Sequence, residues 1–523
     1  MKKLFLLFLC ILNVFFMCSC GNNDYSLNVE IESMPNNIDP QLASSDVELM
    51  IVRNTFEGLM RYDKDNKLTV GTADSYKVSD DGKTYTFKLK SGLCWSDGTP
   101  LTAEDFVFAV KRASSPETKA PYSDLLRNIK GVNSALRLSD STNNIGVTAV
   151  DDTTVKFVLN KPDNSFCEKL THSVFMPCNE KFFTECKGKY GLSADKMIFN
   201  GTYYVRRWNT EQNSLRISAN EEYKGSFKAG PSFIVLQQTK EEEKNGKVKR
   251  LSDGSTDILK LNFSELKRTD KNSVNISSIY NSTYSIIFNC ETEVGANTEL
   301  IKALSYSTNK EKIKSETPAE FKFTNSIVPS ICKVSGETAE NVFKNKSVKY
   351  DKSTTRQMFL NSLRRFSDGT FPSFSLLCVD DPVIKSVITS VVSSWQETNG
   401  AYIKIETLPE DELNDRIKSG DYTAAFLPLE AKSDDAYDFL SSFKTGYSGN
   451  VINFSNDKFD SIIKESNRNN KSALKNAENI LMNKGNIIPI CEAPVIYGTS
   501  KNILNANFSL FNGIIDLSFA TRK

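Results

Sequence analysis

Residues 374–406 leave few folds open. Runs 374–378 and 403–406 read as short strands, and 383–395 between them is an amphipathic helix. Two strands joined by a crossover helix form a parallel pair, and a parallel pair is covered on its faces by helices. This places the chain in the α/β class. Other segments agree. Residues 27–31 alternate apolar and polar side chains, and 84–90 do so through Tyr85, Phe87 and Leu89 after an Asp80-Asp81-Gly82 turn. Two strand-like runs flank Asp151-Asp152 within 147–159, and 215–219 and 233–237 add further strands. Helical spacing runs over 47–62 through Val47, Met50, Ile51, Thr55 and Leu59, and again over 298–306. Thr102 is expected to cap a helix with Glu104 and Asp105 in its first turn and Phe106, Ala109 and Val110 on its apolar face. A helix over 474–482 is closed by Gly485. Pro489 interrupts the strand 487–490, which places that strand at a sheet edge or a domain crossing. The charged run 240–244 reads as a solvated helix face.

Composition narrows the function. The chain has 523 residues, enough for two to four domains or one multi-lobed receptor or enzyme. Its 65 Lys+Arg balance 64 Asp+Glu, which argues against a nucleic-acid partner. His172 is the one histidine, so an H-E-x-x-H zinc site or any multi-histidine cage is excluded. No metal site and no cofactor is expected. The glycine-lysine-threonine of Gly82-Lys83-Thr84 lacks the earlier glycine of a phosphate loop, since that position is Lys77. Gly446-Tyr447-Ser448-Gly449 is one residue short of a nucleophile elbow. Enzyme function, a peptidase or esterase using His172, is the minority reading.

The N-terminus reads as an export signal. Lys2 and Lys3 precede an apolar run over 4–17 that is too short to span a membrane. Ser19-Cys20 then resembles a lipobox, with Cys20 as the lipidated residue and Met17 at the usual leucine position. The mature chain is expected outside the cytoplasm: a cell-surface lipoprotein on the outer face of the cytoplasmic membrane, or in the periplasm of a cell with two membranes. Eight further cysteines (Cys94, Cys167, Cys178, Cys186, Cys290, Cys332, Cys378 and Cys491) contain no C-x-x-C, and both disulfides and free buried thiols stay open.

Several blocks, in order, resemble the bacterial extracellular solute-binding proteins of family 5, which include the oligopeptide receptors of ABC importers. They are Asn37-Ile38-Asp39-Pro40, Phe56-Glu57-Gly58-Leu59, Trp95-Ser96-Asp97-Gly98-Thr99-Pro100, Asn200-Gly201-Thr202-Tyr203, Ala303-Leu304-Ser305-Tyr306 and Ile487-Ile488-Pro489-Ile490. Trp95 and Gly98 are expected to hold the fold, Gly98 through a positive φ. The resemblance implies a two-lobed, periplasmic-binding-protein-like α/β fold of the large type II form, with an extra subdomain on the first lobe. The implied division is 1–20 signal peptide; 21–57, 191–285 and 491–523 first lobe; 58–190 extra subdomain; 286–490 second lobe. It further implies that a solute, foremost an oligopeptide, binds between the lobes and is delivered to ABC importer permease subunits by a monomer. A receptor for a metal complex, haem or sugar, and a surface sensor without transport, are the alternatives.

For the site, the resemblance points to Ser44, Ser45 and Asp46 in the loop after Asp39-Pro40, and to Tyr122 of Ala120-Pro121-Tyr122. After Gly420-Asp421-Tyr422 the oligopeptide receptors carry an arginine, a tryptophan and an aspartate that meets the peptide's amine; here those positions are Phe426, Leu429 and Lys432. A lysine repels an ammonium group, and Glu430, Asp434 and Asp435 are the nearby acids that could replace the aspartate. The expected second-lobe contacts are Phe426, Leu429 and Glu430.

Overall fold

The computed structural model describes residues 25–137, 144–240, 246–315, 317–344, 352–447, 449–466, 468–484, 486–508 and 515–523. The export segment with Cys20, residues 241–244 of the charged run, Ser448 and the Gly485 cap lie outside the described residues.

Two α/β lobes face each other. The first is built on a seven-stranded sheet in the order Val274–Ile279, Val495–Ser500, Ile258–Leu261, Ser26–Ile31, Phe233–Gln238, Ser214–Ala219, Tyr203–Asn209. The second has six strands in the order Lys322–Phe323, Ile487–Glu492, Ser282–Phe288, Ala424–Glu430, Ser375–Val379, Lys404–Leu408. A four-stranded antiparallel sheet, Ala73–Val78, Thr84–Leu89, Thr154–Val158 and Val147–Asp151, packs on the first lobe and shares its core. The chain crosses between lobes at Tyr280-Asn281 and Ala493-Pro494, a few residues outside the implied boundaries at 285/286 and 490/491.

The strand–helix–strand unit folds as its pattern requires. Ser375–Val379 and Lys404–Leu408 pair in parallel. The helix Pro382–Asn399 between them starts at Asp381, whose carboxylate accepts the N–H groups of Val383 and Ile384 at 2.7 and 3.0 Å. It ends at Gly400, where φ is +74°. Its buried stripe (Ile384, Val387, Ile388, Val391, Trp395) closes one side of the second-lobe core. On the far side of Pro489, the neighbouring strand pairs only with Cys491 and Glu492, so the missing N–H breaks no ladder. The same strand then leads directly into a crossing.

The helix expected over 47–62 is shorter, Asp46–Thr55, and is followed by the strand Met60–Tyr62. Its end is set from a distance. The Asn200 side chain accepts the Glu57 N–H at 3.1 Å and donates to the Glu57 carbonyl at 2.8 Å, and the Gly201 N–H donates to the Thr55 carbonyl at 2.9 Å. A Cβ on Gly201 would sit 2.6 Å from the Thr55 carbonyl carbon. The Phe56-Glu57-Gly58 and Asn200-Gly201 blocks are therefore two halves of one clasp. Trp95 is fully buried with its ring edge-on to Phe56, and Gly98 has φ +82°. Thr102 starts the helix Ala103–Ala113; its N–H is accepted by Asp105 at 2.8 Å. The eight cysteines among the described residues are all free, six of them buried. No helix among the described residues is long and apolar enough to cross a membrane.

Candidate functional site

The loop after Pro40 is shaped by one buried carboxylate. Glu48 accepts the N–H groups of Asn36 at 3.0 Å, Asn37 at 3.2 Å, Ser44 at 2.9 Å and Ser45 at 3.1 Å. Ser45 caps the helix in return, accepting the Glu48 N–H at 3.4 Å. Asp39 forms a buried pair with Arg112 and accepts the Gln41 N–H at 3.0 Å. The Asp39-Pro40 motif is thus scaffold, and it presents Ser44 and Asp46 at the surface facing the second lobe.

Charged and aromatic side chains from both lobes meet there. Asp46 pairs with Lys260 at 3.2 Å, and Lys260 also lies 3.9 Å from Glu32 and 4.0 Å from Glu410 of the second lobe. Asp46 beside it, against the cost of burial, holds Lys260 protonated well above the ordinary lysine range. Tyr122 donates weakly to the Ser44 carbonyl, at 3.5 Å, and its ring faces the Lys432 ammonium of the second lobe at 5.5 Å. Lys432 is paired with Glu430 at 3.1 Å. Burial opposes the charge on Lys432, but Glu430 and Tyr122 outweigh it and raise its pKa. His172 lies edge-on to Tyr122, ring centroids 4.3 Å apart. Its Nδ1 accepts the Val174 N–H at 3.4 Å, and its buried Nε2 has no protein partner. Burial, helped by the Lys432 charge, pushes His172 down to about 3, so the ring is neutral. Tyr284 and Tyr497 lie within electrostatic reach of this cluster; burial raises both phenols, and Lys260, Glu430 and either Glu410 or Asp46 act on them.

The gap is wet although it lies between two lobes. The side chains of Asp46, Glu410, Lys432 and Glu430 are 54%, 62%, 40% and 39% exposed. These side chains are open to water while they face one another across the gap.

The structure brings Ser44, Asp46, Tyr122 and Glu430 into this gap, with Ser45 just behind as a cap. Phe426 is elsewhere: it is fully buried in the second-lobe core against Tyr284, and Leu429 is 5% exposed within the other hydrophobic cluster of that lobe. The expectation that these two side chains contact ligand is corrected by their burial; they are packing residues of the strand that carries Glu430 to the gap. Lys260, Glu410, Tyr284 and Tyr497 were not singled out from sequence. Each is an isolated residue on an ordinary strand or helix, and only the fold puts Asp46 beside Lys260.

A second contact zone closes the rim. Lys169 of the first lobe pairs with Asp163 at 2.9 Å and with Asp438 of the second lobe at 2.7 Å. Arg468 of the second lobe pairs with Asp435 at 2.5 Å, with Asp438, and with Asp163 across the seam at 3.4 Å. Arg127 stacks on Tyr447 at 4.1 Å. Three carboxylates share two cations, and burial next to Asp438 pushes Asp435 up to about 6. Nearby, burial and Asp434 push Glu168 up to about 7, although the Tyr62 hydroxyl donates to it at 2.6 Å. These contacts require the lobes to be closed on each other.

A sequence profile described as bacterial extracellular solute-binding proteins, family 5 middle, matches residues 67–450. The chain belongs to this family. The oligopeptide-binding protein OppA of Bacillus subtilis is 27% identical over 479 residues, covering 89% of this chain and 87% of that protein. Among solved structures, Listeria monocytogenes OppA bound to peptide superposes with a TM-score of 0.84 at 24% identity, covering 96% of this chain and 99% of the other. The Escherichia coli murein tripeptide binding protein MppA superposes at 0.79, at 20% identity over 95% of this chain and 98% of that one. Its unliganded open form superposes at only 0.63, with 20% identity over 95% and 97%. The family member described here has its lobes in the closed arrangement, as the rim contacts require.

Proposed function

We propose that this family 5 protein is an extracytoplasmic receptor that closes its two lobes over an oligopeptide and delivers it to the permease subunits of an ABC importer. The observation that carries the reading is the wet interlobe gap, where polar and charged groups from both lobes converge without a catalytic constellation among the described residues. A peptide laid along the gap can exchange main-chain hydrogen bonds with the Ser44 loop and with the segment around Glu430, while its side chains sit in water-filled space. The receptor does no chemistry on the ligand in this reading. His172 supports that: a neutral, buried ring with Nδ1 tied to a backbone N–H is poorly placed to take a proton from a nucleophile. In this reading the chain divides into a discontinuous first lobe, an extra subdomain over 58–190 and a second lobe; the separate four-stranded sheet within 73–158 supports the subdomain.

The protein acts as a monomer held to the membrane by lipid on Cys20. Support for the anchor is the apolar run over 4–17 ending in Ser19-Cys20. Cys20→Ala is expected to abolish lipid labelling and release the protein; a variant that still carries lipid assigns the anchor to another residue. Native mass spectrometry of protein purified from its own cells tests the ligand. Peptide masses that leave on denaturation support the reading, and a single non-peptide solute at full occupancy overturns it.

A further inference from the structure

In the gap, the Lys432 ammonium lies between a carboxylate of its own lobe and an aromatic ring of the other. A carboxylate facing an aromatic ring is the pairing that holds an organic cation: the acid supplies charge and the ring its negative face. Glu430 and Tyr122 make such a pair, one from each lobe. The cation between them is the protein's own Lys432, 3.1 Å from the Glu430 carboxylate and 5.5 Å from the centre of the Tyr122 ring. His172 backs the ring and is neutral, so it adds no competing cation. The side chains of Lys432 and Glu430 are 40% and 39% exposed, so the pair borders the space a ligand would enter.

We propose that Lys432 occupies the ammonium site of the cleft, and that the receptor therefore takes peptides whose amino terminus is blocked or lies outside this site. This rests on the peptide-receptor reading above. A free amine arriving at Glu430 would have to displace Lys432 or sit beside a like charge between the closed lobes, and either weakens binding. An acylated or cyclised amino terminus, or an internal peptide segment, brings only amide groups and leaves the Lys432–Glu430 pair intact. Lys432 is thus a specificity residue acting through the pocket it fills. It also links the lobes, since the Tyr122 face is offered only when they are closed, so ligand preference and closure share one contact.

The test uses the mature full-length protein and one mixed-sequence pentapeptide library in two forms, free amine and N-acetylated, in competition by native mass spectrometry. The wild type is expected to bind the acetylated form at least as well as the free form. Lys432→Met empties the site and is expected to shift the preference towards free amines by about tenfold or more; Lys432→Asp shifts it further. Lys432→Arg keeps a cation in place and is expected to retain the wild-type preference, which separates the charge from a general disturbance of the loop. A wild type that prefers the free-amine form over the acetylated one overturns the inference and leaves the peptide-receptor reading standing. So does a preference that does not change in folded Lys432→Met and Lys432→Asp. If the wild type retains neither form, the peptide-receptor reading fails and this inference with it.

Discussion

At the rim, Lys169 and Arg468 meet Asp163, Asp435 and Asp438 with side chains at most 16% exposed and contacts of 2.5–3.4 Å. In the gap, Lys260 and Lys432 meet Asp46, Glu410 and Glu430 with side chains 27–62% exposed and contacts of 3.1–4.0 Å. The same residue types do different work because water reaches one set and not the other. Rim charges are desolvated, so each depends on its partners and the cluster is all-or-none. Gap charges are more exposed, so their pairs are screened more than those at the rim and are the ones that contacts with a solute can replace. The rim fixes how the lobes close; the gap decides on what.

The largest expected effect lies at the rim. Lys169→Met leaves Asp163 and Asp438 buried with one cation fewer, at a cost of about 3–5 kcal/mol. Part of this falls on the fold and part on closure, so thermal unfolding and ligand affinity are both expected to drop. An affinity unchanged in a folded variant would mean that the rim does not contribute to closure. In the gap, Tyr122→Ala removes an aromatic face next to the ligand and the Lys432 contact. It is expected to weaken peptide binding by about 1–3 kcal/mol with little effect on unfolding, as calorimetry and melting curves together would show. A large fall in melting temperature would move Tyr122 to the scaffold side of the comparison.

A smaller effect is expected from pH. Glu168 is faced by Tyr62 from its own lobe and by Asp434 and Lys333 from the other, and in the closed form burial and Asp434 raise it to about 7. When the lobes open, its pKa falls back towards the ordinary glutamate value, 4.5. A carboxyl whose pKa is higher in the closed state favours closure while it is protonated, and the benefit is lost as pH rises from the open-state value through about 7. Affinity is therefore expected to fall between pH 5 and pH 8, by no more than about tenfold because Glu168 is partly solvated. Glu168→Gln is expected to flatten most of that slope. A rise in affinity with pH would contradict the assignment.

Local patterns announced most of the scaffold. Alternation located Ser26–Ile31 and Thr84–Leu89, and the strand–helix–strand pattern gave the parallel pair in the second lobe. The helix from Asp46 was read too long because its end depends on Asn200 and Gly201, far along the chain. The site was only half visible. Tyr122 sits in a local motif and Glu48 orders the loop before it, but the gap depends on pairings such as Asp46–Lys260 and Tyr122–Lys432 that join residues hundreds of positions apart. Phe426 and Leu429 were misread for a related reason. The strand Ala424–Glu430 lies inside the second-lobe sheet and is covered on both faces, with Phe426 in one cluster and Leu429 in the other, which only the neighbouring strands and helices decide.

Lobe closure on a solute is the claim on which the rest depends. Small-angle X-ray scattering of the mature protein, stripped of bound solute and then saturated with a peptide found to co-purify with it, tests it most directly. The account predicts a smaller radius of gyration in the saturated sample and scattering that matches the closed structure. An unchanged radius at saturation, with binding verified in the same sample, would contradict it.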